Sequence, residues 1–179
     1  MIYTHTDMEH NALMQTAANM CAVARTAPKT RGKDNIVTLV LTGEEKDALA
    51  ERMLFVSERE YGGAPNFIRR DAGNLRAAQA VVLVGVRPAC AGLSFCSYCG
   101  FENCAACAEH GGHCAFMTID LGIAAEAAAA AAAHGCVDTR IMFSVGKTAA
   151  EMNYEGMDNV IWLGLPLSIS GKSPFFDRG

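Results

Sequence analysis

No block of like charge marks this chain of 179 residues; 15 basic side chains stand against 19 acidic ones, a formal net charge of −4. Without a basic patch, nucleic acid and anionic membrane surfaces are excluded as main partners. Long apolar runs are also missing. The most apolar stretch, LGIAAEAAAAAAA at 121–133, is too short to span a bilayer, is mostly alanine and contains Glu126. The opening MIYTHTDMEH is polar and carries no apolar segment of the secretory kind. These absences predict a soluble, cytoplasmic protein. No internal repeat and no interdomain linker appears, so residues 1–179 are expected to form a single domain. A domain of this size hides roughly 70% of its unfolded surface and can hold its core without covalent staples.

Cysteine, by contrast, is plentiful: eight in the chain, five of them within CSYCGFENCAACAEHGGHC at 96–114. In a reducing cytosol such density points to metal or redox chemistry before structural disulfides.

The elements around that segment follow from periodicity. Residues 7–25 have helical spacing at Leu13, Met14, Ala17, Ala18 and Cys21, with Asp7 as a start signal. Pro28 closes this helix and a polar loop follows. NIVTLVL (35–41) predicts a strand, and Thr42 with Glu45 predicts a capping box that opens a second helix. A further helix is predicted over 67–79, interrupted near Gly73. AVVLVGV (80–86) is a continuous apolar run and predicts a buried strand. Beyond the cysteine segment a helix is expected from Asp120 to about His134, ended by Gly135. TRIMFSV (139–145) and NVIWLGLPL (159–167) predict two more strands, with a short helix over KTAAEM between them. The order predicts an α+β fold, a mixed sheet covered by helices, with a cysteine-rich insertion at about 88–116. Insertions of that length in compact domains are commonly functional. The alanine helix suits a small-residue core helix, or a close helix pair across a dimer.

The cysteines run Cys90-x5-Cys96-x2-Cys99-x4-Cys104-x2-Cys107-x6-Cys114. Thiolates are soft ligands suited to zinc and to iron–sulfur clusters. Structural zinc draws its two knuckles from sites farther apart than the four residues between Cys99 and Cys104, although His110 and His113 are alternative zinc ligands. Two iron–sulfur frames fit. Cys99-x4-Cys104-x2-Cys107 has the plant-type two-iron spacing. Cys96-x2-Cys99-x4-Cys104 resembles a small four-iron domain of pattern C-x2-C-G-x3-C followed by a more distant cysteine. That resemblance includes Gly100 and Phe101, and implies Cys96, Cys99, Cys104 and Cys114 as ligands. Its shorter gap before Cys114 leaves Cys107 or Cys90 as substitutes. The four-iron form is preferred to the two-iron form. Cys21 and Cys136 stand apart and suit buried small residues. No general acid or nucleophile stands out.

A second resemblance spans most of the chain. ARTAPKTRGKDNIVTLVLTGEEKDALAERM (24–53), IDLGIAAEAAAAAAAHGCVDTRIMF and NVIWLGLPLSISGKSPFFDR resemble, in order, segments of the FMN-dependent nitroreductases. With the cysteine insertion, the chain is similar to an uncharacterised family described as containing a ferredoxin domain. The resemblance implies a nitroreductase-like scaffold and an intertwined homodimer with FMN at the interface; the sequence names no redox partner. It sets Lys29, Arg31 and Gly32 in the loop near the flavin, and Lys172 and Arg178 in a tail that reaches its phosphate. The alternative for these cations is a solvated loop and a mobile tail. The family's arginine-serine-x-arginine motif is absent from MIYTHTDMEHNAL, and Gly32 and Asp34 replace the usual asparagine and glutamine. These departures imply an altered flavin site. The expected function is redox or electron transfer through an iron–sulfur cluster with FMN nearby. The alternative is a non-enzymatic zinc- or cluster-binding sensor module.

Overall fold

The run AVVLVGV is buried along its whole length because helices cover both faces of the strand it forms. The structure, a computed structural model, describes residues 1–176. In chain order its elements are α1 (His5–Thr26), β1 (Ile36–Thr42), α2 (Gly43–Tyr61), α3 (Phe67–Ala77), β2 (Ala80–Val86), α4 (Cys104–Glu109), α5 (Ala115–His134), β3 (Asp138–Thr139), α6 (Phe143–Ala149) and β4 (Ile161–Ser168). The sheet has the order β1-β2-β4-β3 and its pairings are antiparallel. The register sets Ile36, Val86 and Ile161 side by side at one end, and Thr42, Ala80 and Leu167 at the other.

Strand alternation divides β2 between two cores. Ala80, Val82, Val84 and Val86 point into the layer made by α1 and α5, while Val81 and Leu83 point into the layer of α2, α3 and α6. Each buried valine or leucine here contributes roughly 1.5–3 kcal/mol. The expected α+β sheet between helical layers is therefore present.

Local signals explain most boundaries. Thr4 and Asp7 form a capping box at the start of α1: Asp7 N–H donates to Thr4 Oγ1 (3.2 Å) and Thr4 N–H to Asp7 Oδ2 (2.9 Å). The box expected at Thr42 and Glu45 does not form. Thr42 stays in the ladder opposite Ala80, Gly43 turns the chain with φ +51°, and the Thr42 side chain caps nothing. Helix α3 runs unbroken through Gly73.

The strand expected over 139–145 is the main correction. Only Asp138–Thr139 pair as a strand, Met142 makes a single bridge to Gly164, and Phe143–Ala149 is helix α6. Tertiary packing overrides the β-branched pattern. Helix α6 lies directly on β4: a Cβ on Gly146 would stand 2.0 Å from the Trp162 carbonyl oxygen, and one on Gly164 2.3 Å from Val145. Ser144 Oγ then donates to the buried Asp71 carboxylate of α3 at 2.5 Å.

Helix α5 starts at Ala115, not Asp120, and is 20 residues long. By length and composition alone it could cross a membrane. One face, with Leu121, Ala124 and Ala128, packs in the core beside α1, and Asp120 is buried with it.

Candidate metal centre

The cysteine segment joins β2 to α5, at the sheet end marked by Ile36, Val86 and Ile161. Asn103 caps α4 by accepting from the Ala106 N–H at 2.9 Å, so the helix begins at Cys104. Cys107 follows three residues later on the same side of the helix and is fully buried. Gly112 lies so close that a Cβ would stand 2.6 Å from the Phe101 ring and 3.0 Å from Cys107 Sγ. Gly100 takes φ +83° directly after Cys99, which turns the chain back towards α4. Tyr98 stacks on Phe116 of α5, rings 5.5 Å apart and 11° from parallel, and so ties the outer turn to the body.

The cysteines of the four-iron frame border a common space. Cys96, Cys99, Cys104 and Cys114 line one small hollow, with Phe101 and Leu93 beside them. Cys114 stands at the N-cap of α5, is 7% exposed, and its Sγ accepts from the Ala91 N–H at 3.5 Å. The Cys90 thiol donates to the Cys104 carbonyl at 3.7 Å. Cys107 is a close neighbour of Cys99. All six cysteines from 90 to 114 are free thiols. Among the described residues, no three Cys, His, Asp or Glu side chains converge as ligands of a single ion.

The environment sorts these thiols. The Phe101 backbone N–H holds the Cys99 pKa below the ordinary thiol value, because it favours the thiolate. Burial pushes Cys107 up to about 11, and contact with Cys99 adds to the rise. Burial also raises Cys90, helped by neighbouring Cys104 and Cys114. Amide N–H groups directed at sulfur are the donors that stabilise a negatively charged cluster, and the donor set is all soft sulfur. The chemistry of the site therefore fits an iron–sulfur cluster.

The basic residues expected near a flavin divide into two groups. Lys29 Nζ donates to the Arg25 and Ala27 carbonyls and so closes the end of α1; its side chain is 8% exposed. Arg31 Nη1 donates to the Ala91 and Gly92 carbonyls, both at 3.0 Å, linking its turn to the cysteine segment. Gly32 takes φ +65° in the same turn. Asp120 holds this turn on α5: its carboxylate accepts from Thr30 N–H at 3.0 Å and Thr30 Oγ1 at 3.0 Å. Lys172 follows β4, beyond the sheet end marked by Thr42, Ala80 and Leu167, whereas Arg31 precedes β1 at the end marked by Ile36. Arg178 lies outside the described residues.

Sequence reasoning overlooked Asp120 as an anchor and Arg87 beside the cysteine loop. The available signals were an aspartate inside an apolar helix and an arginine directly after a buried strand. Cys136, expected to be buried, is exposed with φ +58°.

Comparison with known proteins agrees with this arrangement. An uncharacterized protein from Archaeoglobus fulgidus is 37% identical, over 99% of this chain and 98% of its own. An FMN-dependent nitroreductase from Mycobacterium smegmatis in complex with NADPH has a TM-score of 0.58 at 14% identity, covering 90% of this chain and 80% of that one. A nitroreductase with bound FMN from Desulfitobacterium hafniense also has a TM-score of 0.58 at 14% identity, covering 96% and 81%. The fold is thus nitroreductase-like. A family model described as "Uncharacterized protein containing a ferredoxin domain (DUF2148)" matches residues 110–178, which include Cys114 and exclude Cys96 to Cys107. The chain belongs to this family of ferredoxin-domain proteins built on a nitroreductase-like fold.

Proposed function

We propose that the protein is a redox protein that carries an iron–sulfur cluster, of the four-iron kind, on Cys96, Cys99, Cys104 and Cys114. One observation carries this reading: four cysteines spread over the 96–114 segment line one hollow. The spacing and the N–H groups of Ala91 and Phe101 directed at sulfur support it. The cluster would supply one-electron transfer; the protein sets its position and potential. Cys107 is the competing fourth ligand, favoured by its contact with Cys99. A single-zinc sensor module is the other reading.

Anaerobic purification with iron, sulfide and zinc analysis tests this. Iron and sulfide in about equal amounts, with broad absorbance near ~400 nm, are expected. One zinc per chain and no colour would overturn the reading. Comparison of Cys114→Ser with Cys107→Ser identifies the fourth ligand as the one whose loss removes iron.

The FMN named with the structural neighbours supports a flavin here as well, held by the Lys29–Gly32 turn and the Lys172–Arg178 tail. Cationic donors suit its phosphate. Arg31 precedes β1 and Lys172 follows β4, at opposite ends of strands that span roughly 20 Å. We infer a homodimer in which one copy lends its turn and the other its tail, working with an external redox partner in the cytoplasm. A yellow cofactor released on heating, or taken up from added FMN, is expected; the absence of both would remove the flavin from the reading.

A further inference from the structure

Beside the metal loop lies a second and larger hollow, of about 490 Å³. That is the size of a small-molecule site. Its floor is apolar, built by Val86 at the end of β2, Ile161 at the start of β4 and Met117 of α5. One wall is made by Cys90 and Cys114, so a molecule in the hollow would lie against the cysteine cluster. The polar side chains with N–H groups at the rim are Arg87, His113 and Asn159. None of these three side chains has a hydrogen-bond or ion-pair partner among the described residues. No aspartate or glutamate lines the hollow.

This combination has a chemical meaning. The Arg87 backbone is fixed beside the hollow: its N–H donates to the Asn35 carbonyl at 2.9 Å, extending the β1–β2 ladder by one residue. Its guanidinium is a planar fork matched to a carboxylate. A cation beside an apolar floor, with no acidic neighbour in the lining, favours a ligand with one anionic end and a compact apolar body. We propose that this hollow binds a small organic carboxylate, its anionic end on Arg87 and its body on Val86, Met117 and Ile161. Its role as the substrate or acceptor site of a redox centre rests on the reading above. The binding itself does not.

Benzoate is the probe, with benzyl alcohol as its uncharged counterpart, titrated into the anaerobically purified full chain and followed by calorimetry and ligand-observed NMR. Saturable benzoate binding with a Kd of about 1 mM or tighter is expected. Arg87→Ala should weaken it at least about tenfold, and benzyl alcohol should bind at least about tenfold more weakly than benzoate. Ala108→Phe, on an exposed position of α4 that lines the hollow, should block it without changing charge. This second variant and the alcohol comparison keep the test open even if Arg87→Ala fails to fold. Absence of saturable benzoate binding, or equal affinity for benzoate and benzyl alcohol, would overturn the proposal. So would binding unaffected by both substitutions. Iron and sulfide are assayed in the same samples. Arg87-dependent binding to iron-free protein would keep the site and remove the redox reading; iron without binding would do the reverse.

Discussion

At the scale of single residues, the cysteines that share the hollow are not equivalent. Cys114 belongs to the core beneath α1 and α5, whereas Cys99 sits half-buried on the outer turn. Cys99→Ser is expected to lose iron and change the stability of the metal-free protein by no more than about 0.5 kcal/mol. Cys114→Ser should cost about 1–3 kcal/mol, because its hydroxyl enters an apolar site. Thermal melts of the metal-free proteins check both, and global unfolding of Cys99→Ser would show that the cluster holds the fold together. Glu151 gives a pH-dependent case. Hydrogen bonds from Arg59 first, and then Arg52, lower its pKa from 4.5 to about 2. A depressed carboxylate stabilises the fold above its unfolded pKa and loses that contribution as pH falls through its folded value. Glu151→Gln should therefore destabilise by about 1–2 kcal/mol at neutral pH, a figure reduced for solvent screening of the partly exposed arginines. The gap between variant and wild type should shrink as pH falls from about 5 to 2. Urea midpoints measured across that window give the comparison.

At the scale of elements, α6 shows how packing overrules local preference. Its segment is rich in strand-forming residues, and the expectation of a strand over 139–145 followed from them. The helix forms because Gly146 and Gly164 let its backbone meet β4. Gly146→Ala separates the two influences. Helix propensity alone would stabilise by about 1 kcal/mol. The added methyl would instead meet the Trp162 carbonyl at 2.0 Å, and backbone cannot yield as a flexible side chain does. A loss of at least about 2–3 kcal/mol is expected, read as a lower Tm. In the cysteine loop, the short helix α4 and the thiols on it are set by caps and turns that a cysteine count does not contain. The resemblance to a four-iron domain pointed to Cys96, Cys99, Cys104 and Cys114, but the roles of Ala91 and Phe101 as amide donors depend on how the loop folds back.

For the molecule as a whole, the separation of Arg31 from Lys172 gives the proposed dimer a specific signature. Arg31→Ala and Lys172→Ala should each weaken FMN uptake in the homodimer. Mixed dimers of the two variants should recover about half the sites, because one site then carries both substitutions and the other none. Flavin fluorescence after mixing and reassembly measures this. Failure of mixed dimers to exceed either parent would place the flavin within one chain or nowhere. Ile119 and Ile123 are exposed on α5 and suit a surface covered by a second copy. Glutamate at both positions should shift sedimentation towards monomer with the circular dichroism spectrum retained.

The central buried strand, the long alanine-rich helix and the sulfur chemistry of the loop were legible from the residues alone, because each is written in local periodicity or in residue type. The tertiary structure alone decided that α6 is a helix, that Asp120 anchors the Thr30 turn, and that Arg87 stands free at the mouth of a hollow. Those outcomes depend on contacts between residues far apart in the chain. Their free energy arises only when the sheet and its two helical layers close together.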